Sequence, residues 1–169
     1  RHYQWGNLIL ADNDSMIVIE LAEDKHTIER SERKVLRTSH HIMLDTEEEL
    51  RKSYSEKGQT TYEDSLQRFE RGYELIRRVE SVRDVFNILK DHGPERGASS
   101  LCKHARNDVE SSTVMSYVIE MDHEQDAGRP KIVFHAAKGH PCEASYTSIP
   151  LVFPADEEIM KRARQIFPK

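Results

Sequence analysis

The chain predicts an α+β fold: largely antiparallel sheets with a helical layer. Three observations lead there. Short apolar runs of strand length gather in the first forty residues and again after residue 98. Between them the apolar spacing changes from every second residue to every third and fourth. Strand and helix blocks are thus segregated, whereas a parallel doubly wound sheet would alternate them. A four-layer αββα sandwich satisfies this order, and so does a two-layer arrangement.

Gly6 to Asp12 and Ser15 to Ala22 are rich in Ile, Leu and Val and flank Asp12-Asn13-Asp14. Side chains of that type favour tight turns, so the pair reads as a hairpin. Thr27 to Arg30 and Lys34 to Ser39 read as two further strands, making a four-stranded meander. Asp45 or Thr46 caps a helix through about Tyr54, and Glu47, Glu48 and Glu49 suit the positive end of its dipole. A break follows at Gly58. Thr60-Thr61-Tyr62-Glu63 reads as a capping box opening a second helix, with Leu66, Phe69, Tyr73 and Ile76 along one face.

Ser81-Val82-Arg83-Asp84 repeats the capping pattern for a third helix carrying Val82, Val85, Phe86 and Leu89, and His92-Gly93-Pro94 stops it. Both stripes read as core. Strands resume at about Ala98 to Lys103, Thr113 to Met121, Lys131 to Ala136 and Ser145 to Leu151, with a polar turn from Asp122 to Pro130. Asp156 to Phe167, with Ile159, Ala163 and Phe167 spaced among charges, reads as a terminal helix.

A length of 169 residues fits one domain. The 37% hydrophobic and 33% charged composition is that of a globular protein. Net charge is −5, from 25 basic and 30 acidic side chains well interspersed. No basic block of the size of a face exists to displace counterions, which argues against nucleic acid as a partner. Apolar runs such as Met16 to Ile19 and Val114 to Ile119 are far too short to span a bilayer, which argues against membrane insertion. Two cysteines make no disulfide framework, and the first residues do not form a signal peptide. The expected compartment is the cytoplasm.

Several segments resemble one family when taken in order. Gly6-Asn7-Leu8-Ile9-Leu10-Ala11-Asp12 followed by Ile17-Val18-Ile19-Glu20 resembles an Asn-Tyr-Leu-Leu-Ala-Asp … Ile-Glu hairpin. Arg37-Thr38-Ser39-His40 resembles His-Thr-Asn-His, and Ser100-Leu101-Cys102-Lys103-His104 resembles Ser-Ile-Cys-Arg-His. Thr113 to Met121 resembles a Thr-Val-Ala-Ser-type strand, and Lys138-Gly139-His140-Pro141-Cys142 a Gly-Pro-Pro-Cys segment. These are motifs of the penicillin acyltransferase-like linear amide hydrolases, which are N-terminal-nucleophile (Ntn) enzymes, and the resemblance runs from about Gly6 to Leu151.

The resemblance implies an αββα fold, of which residues 1–169 form a single domain that is the C-terminal portion. It implies an amidohydrolase or acyltransferase that cleaves or exchanges a non-peptide amide bond through an acyl-enzyme, with a small-molecule amide as substrate and no cofactor. In that family the nucleophile is a Cys at a chain N-terminus, where the free α-amine has a pKa suited to activating the thiol. The chain begins with Arg1, so the nucleophile is expected on a missing N-terminal segment or subunit. Ser39 and Lys103 then match an oxyanion and substrate shell. Ser39 stands where the family has Asn, and its hydroxyl reaches less far than an amide. Lys103 stands where the family has Arg; it keeps the charge and loses the planar two-pronged donor. These departures motivate an alternative, a non-catalytic binding or regulatory domain that retains the fold.

His40 and His41 read as capping or packing residues, and Cys102 as a small buried hydrophobe. A competing local pattern pairs Cys102-Lys103-His104 with its mirror image, His140-Pro141-Cys142. Side by side on extended strands, these pairs could offer zinc a Cys2His2 tetrahedron. The spacing differs from the usual zinc arrangements, and both pairs fall inside the family motifs, so coincidence is the simpler account. Asp12, Asp14, Glu20 and Glu23 lack the spacing and Gly of a calcium loop and read as turn-forming carboxylates. There is no Gly-rich phosphate loop, Gly-x-Ser-x-Gly elbow or His-Glu-x-x-His helix.

Overall fold

The computed structural model describes residues 5–12, 14–57, 62–105, 111–122, 131–151 and 157–166. Among them the order is β1 (Gly6–Ala11), β2 (Met16–Ala22), β3 (Lys25–Ser31), α1 (Glu47–Lys57), α2 (Tyr62–Ile76), α3 (Val82–Leu89), β4 (Met115–Asp122), β5 (Lys131–Lys138), β6 (Thr147–Leu151) and α4 (Glu157–Ile166). The strands form two three-stranded antiparallel sheets, β1-β2-β3 and β4-β5-β6. The fold class is α+β, as the segregated blocks predict. The break at Gly58, the Thr60-Thr61 start of the capping box, the turn after Asp122 and Phe167 lie outside the described residues.

The first hairpin closes on the side chain of Asp12, whose Oδ1 accepts from the backbone N–H groups of Asp14 at 2.9 Å and Ser15 at 2.8 Å. That sets Ile9 opposite Val18 and Asn7 opposite Glu20. Val18, Glu20 and Ala22 point to the buried side of the sheet, while Leu8, Leu10 and Ile28 on its other side are exposed.

Two expected strands do not form. Lys34 to Ser39 runs beside the sheet without joining it, because Asn7 Nδ2 bonds the carbonyls of Thr38 (2.8 Å) and His40 (3.0 Å) at its end. The meander therefore has three strands. Ala98 to Lys103 is a series of turns: Ser100 Oγ lies between Gly97 O (2.8 Å) and Cys102 O (2.6 Å), which share its single proton, and His104 N reaches back to Gly97 O (3.2 Å). A hydroxyl that draws in carbonyls on both sides of itself folds the chain over and replaces the ladder.

The helices lie where expected, but α2 is rotated from its predicted face. Its buried positions are Tyr62, Ser65, Arg68 and Gly72, while Tyr73 of the apolar stripe is exposed. Small residues permit this close approach: a Cβ on Gly72 would lie 2.7 Å from Leu36 Cδ2. Tyr73 and Ile76 of the stripe line an open apolar groove with Val35, Val85 and Leu89, and α3 has no fully buried residue. Ser81 and Asp84 form the expected reciprocal cap of α3. Phe86 packs on Tyr146 and His135, with ring centroids at 4.5 and 5.3 Å, which seats α3 on the second sheet. α4 packs against β5 and β6.

Candidate functional site

The Arg37–His40 segment is held from below by a buried carboxylate. Glu20, with no exposed surface, accepts from the backbone N–H groups of Ile42 (2.9 Å), Met43 (2.8 Å) and Leu44 (3.0 Å) and from Arg37 Nε at 3.2 Å. Burial by itself would raise its pKa, but these four donors outweigh it and hold the carboxyl below the usual range. Arg37 also pairs with Glu29. Glu20 is therefore a structural anchor and no surface turn carboxylate.

His40 and His41 pack as expected. The His40 ring stands edge-on to Tyr62 and Phe69, and its Nδ1 lies 2.8 Å from Ser65 Oγ. Burial, followed by the nearby charge of Arg68, lowers its pKa, so it stays neutral. His41 stacks on Trp5 and bonds Thr46 Oγ1 at 2.8 Å.

Ser39 sits on this platform at the surface. Its N–H donates to Ser65 Oγ at 3.0 Å, and its hydroxyl accepts from Arg68 Nη2 at 3.0 Å. The other arm of Arg68 donates to Ala98 O at 2.7 Å. One buried guanidinium thus ties the Arg37–His40 segment to the 97–104 turns. Lys103 lies near the far end of those turns. Its N–H donates to Thr113 Oγ1 at 2.9 Å, its carbonyl accepts from Thr113 N at 3.0 Å, and its ammonium bonds Ser111. Arg68 escaped the sequence reading because an Arg between apolar stripe positions on an amphipathic helix reads as a solvated charge.

The same turns carry a second constellation. Cys102 and His104 are buried, and the turn after β5 brings Cys142 to them; Gly139, with φ of +93°, begins that turn. His104 Nε2 lies 3.4 Å from both Cys102 Sγ and Cys142 Sγ, and 3.1 Å from His92 Nε2. All four heteroatoms lie within 4.8 Å of one another. His140 is on the other side: its ring stacks on His104 at 3.8 Å, and its Nε2 bonds Ser112 Oγ at 2.7 Å. The mirror-image pairs thus contribute Cys102, His104 and Cys142, and His92 takes the place expected for His140. No local pattern marks His92, which reads only as part of a helix stop.

Burial pushes the Cys102 thiol up to about 11, so the thiolate is scarce at neutral pH and this cysteine is a poor nucleophile. Burial also keeps His104 neutral. No helix among the described residues is long and apolar enough to cross a membrane.

The comparisons with curated proteins and with solved structures each give no significant match. A family model described as Acyl-coenzyme A:6-aminopenicillanic acid acyl-transferase matches residues 3–126. The matched range includes the first hairpin, the Arg37–His40 segment, the turns bearing Lys103 and all of β4, and it ends before Cys142. On a match of that extent, the chain belongs to the acyl-coenzyme A:6-aminopenicillanic acid acyl-transferase family.

Proposed function

We propose that this chain is part of an amidohydrolase or acyltransferase that cleaves or exchanges the non-peptide amide bond of a small molecule through an acyl-enzyme. The observation that carries the reading is the Arg68 bridge, which joins two family-matched segments at the surface position of Ser39. Accepting from a guanidinium polarises the Ser39 hydroxyl and makes it a better donor toward an oxyanion. Lys103 supplies a positive charge at the other end of the same turns, suited to an anionic group on the substrate.

The nucleophile in this reading is a thiol on an N-terminal segment outside this chain, since Cys102 is buried with a raised pKa and Cys142 is engaged beside it. That thiol gives its proton to the α-amine of its own residue and attacks the amide carbonyl, the oxyanion collapses as the amine departs with that proton, and the thioester passes its acyl group to water or a second amine. No cofactor enters the sequence of steps.

The test is amine release from a panel of N-acyl amides by the protein expressed with its upstream coding segment. Ser39→Ala should lower kcat/KM about 10² to 10³-fold if the hydroxyl is an oxyanion donor. Lys103→Ala should raise KM for acidic substrates. Unchanged kinetics in both variants would remove these two residues from the site. No covalent acyl adduct with any substrate would instead favour the non-catalytic binding domain.

A further inference from the structure

We propose that His92, Cys102, His104 and Cys142 form a structural zinc site that fastens the end of α3, the 97–104 turns and the turn after β5 to one another. The argument starts from geometry. With Zn–N of about 2.05 Å and Zn–S of about 2.3 Å, a tetrahedron has edges of about 3.4 Å between two nitrogens and about 3.6 Å between nitrogen and sulfur. The three edges meeting at His104 Nε2 measure 3.1, 3.4 and 3.4 Å. Ordinary packing does not gather two thiols and two imidazole nitrogens on one point. In their protonated forms they bring two thiol protons and the imidazole protons into the same small space.

Ring orientation separates the four ligands from the other nearby histidine. The His92 and His104 rings are tilted by 59°, with their Nε2 atoms converging. The His140 ring lies nearly parallel to His104, 23° apart, so its lone pairs run alongside those of His104 and do not meet them. The donor set is two sulfurs and two nitrogens, which suits Zn(II) among the common divalent ions.

The backbone around the ligands is already fixed. Cys102 N donates to Asp91 O at 3.0 Å, which joins the His92 segment directly to the Cys102 turn. The Asp91 carboxylate is in turn gripped by Arg71, at 2.8 and 3.0 Å, and by Gly93 N at 2.9 Å. Arg96 Nη2 donates to His104 Nδ1 at 2.9 Å, which places the neutral His104 proton on Nε2. Taking the ion moves that proton to Nδ1 and releases Arg96, whose side chain is 54% exposed and remains paired with Glu143. The two thiols release their protons to solvent as the Zn–S bonds form, so the Zn(II) charge is balanced within the site.

The experiment titrates the full 169-residue chain, freed of metal under reducing conditions, with Co(II). One equivalent should give the intense visible bands of tetrahedral cobalt and a thiolate-to-cobalt charge-transfer band, and Zn(II) should bleach both. Cys102→Ser, Cys142→Ser and His92→Ala should each weaken binding beyond the about 10 to 100-fold typical of an outer-shell partner. His140→Ala should leave the spectrum intact. Weak octahedral bands, no one-to-one binding by the wild-type chain, or equal affinity in His92→Ala and wild type would overturn the assignment. Circular dichroism of each metal-free variant distinguishes ligand loss from failure to fold, and the wild-type titration decides the matter should a variant not fold.

Discussion

Two buried polar centres organise this chain, and they are satisfied in different ways. Around Glu20 the protein supplies every partner itself: three backbone N–H groups and the Arg37 guanidinium meet one carboxylate. Around His104, two sulfurs and a second imidazole crowd a single nitrogen. Hard acceptors with matched donors make a closed centre, while soft donors converging on one point leave room for a cation. Only the second is therefore proposed as a binding site, although the family match includes all of the first and, of the second, His92, Cys102 and His104 without Cys142.

Removing the Glu20 charge should have the largest effect. Glu20→Ala leaves three N–H groups and the Nε–H of a buried guanidinium without their acceptor, and should cost about 3 to 5 kcal/mol in urea unfolding. A loss below about 1 kcal/mol would mean that water replaces the carboxylate and the centre is not closed. This centre also sets an acid limit. The Glu20 pKa is lowered in the fold, so its contribution is full above the unfolded value of 4.5 and is lost as pH falls through the folded value. The His40 pKa is lowered from 6.5, so the unfolded chain takes up that proton first and stability drops as pH falls below that value. The urea midpoint should therefore be lower at about pH 5.5 than at about pH 7.5, and His40→Gln should reduce that difference and leave the part carried by His104, whose pKa burial also lowers.

The second centre should respond to metal and the first should not. Zinc at about a hundredfold excess over Kd should add about 2.7 kcal/mol of stability to the wild-type chain and nothing to Cys142→Ser. An equal gain in that variant would place the ion elsewhere. Phe86→Ala should cost about 2 kcal/mol, below the usual value for a fully buried ring, because Phe86 is half-buried against Tyr146 and His135. Ser81→Ala, which removes the cap of α3 just upstream of His92, should cost about 1 kcal/mol. It should weaken cobalt binding only slightly, because Arg71 and Asp91 hold the ligand backbone independently of the helix start.

Local chemistry decided which parts of this architecture could be read beforehand. The first hairpin, the four helices among the described residues and β4 to β6 follow from spacing, turn residues and caps. Lys34 to Ser39 and Ala98 to Lys103 do not, because a strand depends on who takes its hydrogen bonds. In one case the taker is Asn7, some thirty residues away; in the other it is the hydroxyl of Ser100 inside the segment itself. The rotation of α2 was hidden similarly, since its buried face uses Ser65, Arg68 and Gly72, none of which a hydrophobic stripe records.

The candidate sites divide in the same way. Cys102, His104 and Cys142 are visible as mirror-image pairs, but His92 joins them only in the fold, through its contact with His104 and the backbone bond from Cys102 to Asp91. Ser39 and Lys103 were suggested by resemblance alone. Arg68, which connects one of them to the other's turns, was not.

Glu20 has one more consequence, for the fidelity of folding. Met16-Ile17-Val18-Ile19 is apolar at every position, so hydrophobicity alone does not tell the chain which side of β2 belongs inside. A slip of one residue would exchange Val18 for Ile17 or Ile19 at little cost in buried area. It would also carry the only charge in the strand onto the open apolar side, away from Arg37 and the three waiting N–H groups. The carboxylate thus acts as a proofreading mark, because the mispaired hairpin leaves those buried donors without their acceptor.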